Sequence, residues 1–394
     1  MTHHDHSADH ARLDRLLGFL AQDPDNTSLL IDTLSLAISS QAINAAQTLK
    51  AHVTNHGIDN AVAHAHLAHL LLLAGDYVGA ALQGDLAIAA GIIHPAVLFN
   101  TAFGHFHAAD YASSASTLAR VTNQPDASLP ALLLHARALH HLESDDAEPL
   151  VVRALELESE HIEARGLLSL LQYERDAYDE ALQLAHEVLA EQPDQLDALL
   201  ACAGTHTEQG RMEAARKTWL HTVSAHPDCG RAWSGLAQVE FHELEFNQAE
   251  EHLKTAVLHM PDHIGTWHLL AWIYILRGDS AQAREALDRS YALDRNFGET
   301  HGGLAVVDAM EGKTDSARQG IRRALKLNPD GMSARYAEML LLQQEGKADE
   351  ATALVNSVLD RPTVDGQATG RVLIERWFAE HQGHARQKPP AGHH

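Results

Sequence analysis

The residues of this chain that could do chemistry fall into three short motifs, two cysteines and thirty histidines. Gly312, Lys313 and Thr314 read like the end of a phosphate-binding loop, but such a loop needs a glycine five residues before Gly312, and Val307 stands there. His242–Glu243 in HELEF and His186–Glu187 in HEVLA begin like the zinc-protease helix HExxH, yet Phe246 and Ala190 replace the second histidine, so neither closes a zinc site. Cys202 and Cys229 form no CxxC pair, and neither GxSxG nor GxGxxG is present. These residues predict a chain without catalysis and without a cofactor.

The histidines leave more open. A free amino terminus followed by Thr2, His3 and His4 can wrap amine, amides and imidazole around Cu(II) or Ni(II), and His6 and His10 add donors. His3, His4 and His6 are therefore candidate metal ligands, set against the plainer expectation of a solvated polar tail. His64, His66 and His69 fall within one helical stretch, and His135, His140 and His141 within another. A metal- or pH-responsive module is one reading of them, and scattered surface histidines the other.

The formal charge of −24 argues against nucleic acid and anionic membrane surfaces, because phosphate binding needs Lys and Arg in excess. No apolar run approaches the roughly 18 residues of a membrane span. The first residues carry no basic leader or small-residue cleavage pattern, and two cysteines offer no disulfide framework, so a cytoplasmic location is the expectation.

What must position these side chains is a repeat. Ala46, Ala80, Ser114, Ala147, Ala181, Ala215, Ala249, Ala283, Ala317 and Ala351 are spaced by 34 residues, except for one step of 33 from Ser114 to Ala147. A small residue at this period marks stacked helical hairpins, packed closely where the small residue falls. Placing it at position 20 starts ten units at Thr27, Ala61, Pro95, Ser128, Ile162, Leu196, Gly230, Ile264, Gly298 and Met332. Position 15 supplies the turn as Gly75, Gly210, Gly278, Gly312 and Gly346. Pro193, Pro227, Pro261 and Pro329 end the second helix of their units. The first, third and fourth units lack the turn glycine, which predicts an irregularity beside the short step.

GDYVGA from Gly75, ERDAYDEA from Glu174, GRMEAA from Gly210, ALELESEH from Ala154, and Trp233 and Trp267 at position 4 give the chain its resemblance to the tetratricopeptide repeat (TPR) family. The resemblance covers roughly residues 27–365. It implies an all-α, right-handed superhelical α-solenoid of about ten TPR hairpins with terminal capping helices. Expected boundaries are a disordered histidine-rich segment 1–8, a capping helix 9–26 built on Leu13, Leu16, Leu17 and Leu20, the solenoid 27–365, a second capping helix 366–382 and a disordered tail 383–394.

In that family, positions 2, 5, 9, 12 and 13 of the first helix line the concave face that binds partners. The resemblance therefore implies a partner face of His69, Leu72 and Leu73, then Ala96, Phe99, Phe103, Phe106 and His107, then Leu132, Leu139 and His140. A second patch comprises Arg231, Gln238, Phe241, His242, His268, Trp272 and Ile275. The lysine and asparagine clamp that some members use for acidic chaperone tails is missing, which favours an apolar or basic segment. The reading is a non-enzymatic scaffold that binds a protein or peptide, by family analogy in assembly or regulation of a bacterial complex. The alternatives are the histidine-based module and a self-assembling structural solenoid.

Overall fold

A computed structural model describes residues 3–360, with side chains from Ala8 onward. The expected second capping helix 366–382 and tail 383–394 lie outside the described residues. The chain divides into two compact units, residues 1–205 and 206–394. Within the first lie α1 (His3–Gln22), α2 (Thr27–Ser39), a short 3-10 turn Ile43–Ala45, α3 (Ala46–Asn55), α4 (Ala61–Leu73), α5 (Tyr77–Ala89), α6 (Pro95–His107), α7 (Tyr111–Thr122), α8 (Leu129–His141), α9 (Ala147–Leu157), α10 (Ile162–Glu174) and α11 (Tyr178–Glu191). α12 (Leu196–Glu208) begins in the first unit, and the second continues with α13 (Met212–Ala225), α14 (Gly230–His242), α15 (Phe246–His259), α16 (Ile264–Leu276), α17 (Ser280–Leu293), α18 (Gly298–Met310), α19 (Thr314–Leu327), α20 (Met332–Gln344) and α21 (Ala348–Leu359).

The described residues are all-α, and the helices after α1 follow one another as ten pairs. α1 starts at His3, so residues 3–8, expected to be disordered, belong to the helix. Its Leu13 and Leu20 are buried against Leu30 and Leu34, which covers the apolar end of the first repeat as an end cap must.

Each hairpin closes on one device. Every small-residue rung from Ala46 to Ala351 is at most 3% exposed, so two helix backbones meet there and no larger side chain fits. Ser114 takes the place of alanine by turning its hydroxyl onto the Ala102 carbonyl at 2.9 Å. Gln41, Gly75, Ala109, Glu143, Asp176, Gly210, Leu244, Gly278, Gly312 and Gly346 all hold positive φ, between 51° and 77°. The turn conformation is thus constant while its residue type is not, and Asp176 and Leu244 join the three early units in lacking glycine. A left-handed non-glycine costs roughly 1–2 kcal/mol, which the packing of both helices must offset.

These turns relocate the short step. Ala109 to Glu143 is 34 residues and Glu143 to Asp176 is 33, so the missing residue lies after Glu143, before Ala147. α9 loses its first turn and starts on its rung, whereas α5 and α7 start three residues earlier. The fourth unit's first helix accordingly begins at Leu129 behind Ser128, and its position 13 is His141 instead of His140. The same shift removes Leu132 from the expected face and places it in the core at 1% exposure.

Candidate partner-binding surface

In the first unit, α6 lies so close to α5 that a Cβ on Gly104 would meet the Ala81 backbone nitrogen at 2.9 Å. That approach sets α6 side chains against those of α5. His107 stacks on Tyr77 with ring centroids 4.7 Å apart and planes 25° apart, and it lies 4.3 Å from Phe103. Phe99 follows Phe103 at 6.1 Å, and Phe106 meets His107 edge-on at 5.5 Å. The same stack recurs one repeat later: Tyr111 lies flat on His141, 4.0 Å away with planes 4° apart. Phe106 joins the two stacks by contacting Tyr111 at 5.4 Å and His141 at 5.6 Å. His140 ends the run with Nε2 2.7 Å from the Glu174 carboxylate on α10.

The three phenylalanines are half-buried, their inner edges against Leu98, Ala102, Leu118 and Leu134, while His107 and His141 are exposed. The result is a continuous strip of rings drawn from both helices of successive hairpins, α5 to α8. Burial pushes His107 below the ordinary imidazole value, and burial with His140 and Arg137 nearby does the same to His141, against an opposing pull from Glu174. At pH 7 this favours the neutral form of both. Behind the strip, His105 sits between two carboxylates, Asp85 at 3.1 Å and Asp110 at 3.3 Å.

Of the expected face residues, Phe99, Phe103, Phe106, His107 and His140 come together here. His69 is exposed on α4, where burial and then His66 lower its pKa, and Leu72 packs on the core of α2 to α4. Sequence gives Tyr77, Tyr111 and Glu174 no place on this face, and it groups His141 only with His135 and His140 as a metal- or pH-responsive cluster. Tyr77 and Tyr111 stand 34 residues apart at the start of second helices, as do His107 and His141 at the end of first helices, so the period itself carried the signal.

The second unit uses its rings differently. Trp272 packs edge-on against Tyr336 at 5.4 Å, and His268 against Phe297 at 6.0 Å, with Phe241 on Phe246 at 5.5 Å. Phe241, Trp272 and Tyr336 lie against the core of Leu253, Leu270, Ile273 and Val306, and Ile275 is itself buried. His268 donates from Nε2 to the Glu299 carbonyl at 3.1 Å, and burial lowers its pKa. Arg231 acts on His263, adding to the effect of burial there. His242 is exposed at the end of α14. The expected second patch therefore comprises exposed Gln238 and His242, half-buried Arg231, Phe241, His268 and Trp272, and buried Ile275.

Fixed positions in this unit carry polar links. At position 4, Trp233 and Trp267 donate to the carbonyls of Pro227 at 2.7 Å and Pro261 at 2.8 Å. His301 does the same to Arg295 at 2.8 Å, and Arg335 to Pro329 at 3.5 Å. One residue after the rung, Arg216, Glu250, Arg284 and Arg318 pair with Glu243, Arg277, Glu311 and Glu345. Lys313 and Arg284 lower Glu311 to about 2. The Gly312–Thr314 motif is this turn, with Lys313 2.7 Å from Glu311.

For metals, His186 Nε2 lies 3.7 Å from Cys202 Sγ, and His206 follows one turn after Cys202 along α12. Imidazole and thiol are donor types that zinc and Cu(I) take. The side chains of His3, His4 and His6 fall outside the described ones. No helix among the described residues is long and apolar enough to cross a membrane.

Comparison with known proteins places these observations. Family profiles described as tetratricopeptide repeat match residues 172–239 and 228–296. A human protein, "Protein O-mannosyl-transferase TMTC1", is 25% identical over 195 residues, 48% of this chain but 22% of that protein. The chain thus spans about a fifth of that relative's length. Among solved structures, TTC0263 of Thermus thermophilus is 24% identical with a TM-score of 0.37, over 46% of this chain and 99% of that one. Pseudomonas aeruginosa pilF is 17% identical with a TM-score of 0.46, over 55% and 97%. Rungs, turns and profile matches agree: residues 172–296 match tetratricopeptide repeats, and the described residues form an all-α solenoid of helix pairs, of the protein-interaction scaffold type.

Proposed function

We propose that the chain is a non-enzymatic scaffold whose first unit holds an extended protein segment along the ring strip from Tyr77 to Glu174. The observation that supports this most is continuity: five hydrophobic or phenolic rings and two imidazoles touch in sequence across α5, α6, α7 and α8. Aromatic side chains supply rigid contact area at low entropic cost, and interface energy concentrates on such anchors. A cytoplasmic setting, within a larger assembly, suits the acidic composition and the repeat type.

Selection of peptides from a random display library on the full chain tests the reading. Bound peptides should slow hydrogen exchange in α6 and α8 and leave α16 and α18 unchanged. Protection confined to α16 and α18 would overturn it. A second reading, a metal-responsive module, rests on the His186–Cys202 pair. Zinc titration of the full chain should then show uptake that Cys202→Ser removes, and no uptake ends that reading.

A further inference from the structure

The strip lies in a part of the chain with almost no fixed cation of its own. From Ala51 to Ala119 there is no Lys or Arg, against four Asp, and the first unit as a whole has 27 Asp and Glu against 8 Lys and Arg. Three arginines beyond this stretch each have a partner, and Arg137 stands beside His141 at the end of the strip. Arg137 holds Asp197 at 2.8 Å, Arg153 donates to the Thr122 carbonyl at 2.7 Å, and Arg175 holds Glu148 at 2.8 Å. The unit's field therefore attracts positive segments and repels acidic ones.

Ring faces add a short-range preference of the same sign. Tyr and Phe faces attract a guanidinium, whose plane also stacks on them, whereas an acidic side chain gains nothing there. We propose that the strip takes arginine-bearing segments, whose guanidinium groups stack on Tyr77, Phe103, Phe106 and Tyr111. This rests on the scaffold reading above and gives its partner a chemistry.

The two stacked histidines make that preference depend on pH. His107 faces Tyr77 from α5 and Phe103 and Phe106 on its own helix. His141 faces Phe106 from α6, Tyr111 from α7, Arg137 and His140 on α8 and Glu174 from α10. Neutral imidazoles leave the strip open to a cation. Protonated ones place two positive charges among the rings and compete with the ligand for them.

Twelve-residue labelled peptides of alternating Ala and Arg, with Lys, Gln and Glu counterparts, test this on the full chain by fluorescence anisotropy. The Arg peptide should bind at least about tenfold tighter than the Gln peptide, with Lys between them and Glu unbound. Tyr77→Ala, Phe103→Ala and Tyr111→Ala, each checked for unchanged helicity, should remove the Arg preference. Between about pH 7.5 and about pH 5.5 affinity should fall roughly tenfold, and His107→Gln/His141→Gln should shrink that fall, the remainder coming from the unit's other histidines; a fall of the same size in the double variant overturns the pH dependence of the strip. Equal binding of Arg and Gln peptides, or an Arg preference that survives loss of the rings, overturns the proposal. If library-selected neutral peptides protect α6 while Arg peptides bind no better, only the arginine chemistry is lost. If no peptide of either kind protects α6 or α8, the scaffold reading of this face falls with it.

Discussion

Where the second unit places charges one residue after the rung, at Arg216, Glu250, Arg284 and Arg318, the second and third repeats place Ala81 and Ala115. The later repeats join neighbours through ion pairs at that seam. The early ones join them through the Tyr77–His107 and Tyr111–His141 stacks. Position 4 differs as well: four successive repeats in the second unit donate from it to the preceding link, while Leu98 in the third repeat is simply buried. One fold therefore tolerates two seam chemistries, and Glu148–Arg175 in the fourth repeat of the first unit is already of the ion-pair kind. The half-buried rings of both units lie against their cores; where stacks hold the seam, the exposed imidazoles of His107 and His141 join them into one strip.

The comparison is sharpest where the two units should respond alike. Ala80→Trp and Ala249→Trp both overpack a fully buried rung, and each should cost about 3 kcal/mol or more, read as a lower midpoint in thermal unfolding. Unequal losses would mean that the rungs are not equivalent.

Acid should separate the units next. Burial keeps His69, His107, His135 and His141 of the first unit below the ordinary imidazole value of 6.5, and His263 and His268 of the second likewise. A depressed imidazole means that the unfolded chain takes up protons first as pH falls, so stability is full above 6.5 and drains below it. Glu311, held at about 2, is a depressed carboxylate whose contribution persists until pH falls below the usual glutamate range. Hydrogen exchange between about pH 7.5 and about pH 5 should therefore show α6 and α8 loosening before α17 to α19. Simultaneous loosening would break the distinction.

Turn substitutions give a smaller effect. Ala109→Gly and Leu244→Gly each relieve a left-handed non-glycine and should stabilise by about 1 kcal/mol in chemical denaturation. Arg318→Ala should cost least, under about 1 kcal/mol and less at high salt, because it and its partner Glu345 are near the surface. A larger loss would make the ion pairs principal supports of the second unit.

The period made most of the fold legible. Rungs, turns and the entry helix follow from small residues, glycines and leucines at fixed offsets. Glu143 and Asp176 were not legible as turns, because a left-handed residue type is set by the helices on either side and glycine is only the least strained choice. That omission misplaced the short step, and with it His140 for His141. The strip was half legible: Phe99, Phe103 and Phe106 come from first-helix positions, but Tyr77 and Tyr111 come from second helices outside the family's usual partner-facing positions. In the second patch spacing did not reveal that Trp272 meets Tyr336 two repeats further along the chain, or that Ile275 is buried. Spacing tells which helix face a ring occupies, and the neighbouring helices decide whether it is covered.

Phe103, half-buried at the middle of the ring strip, is the residue on which partner binding by the first unit turns. The most direct test of this is the affinity of a library-selected peptide for Phe103→Glu, measured together with far-ultraviolet circular dichroism. The account predicts an unchanged helical signal and a loss of binding of at least about a hundredfold, the scale of losing a central hot spot. An unfolded Phe103→Glu, or one that binds the peptide as well as the parent, would contradict it.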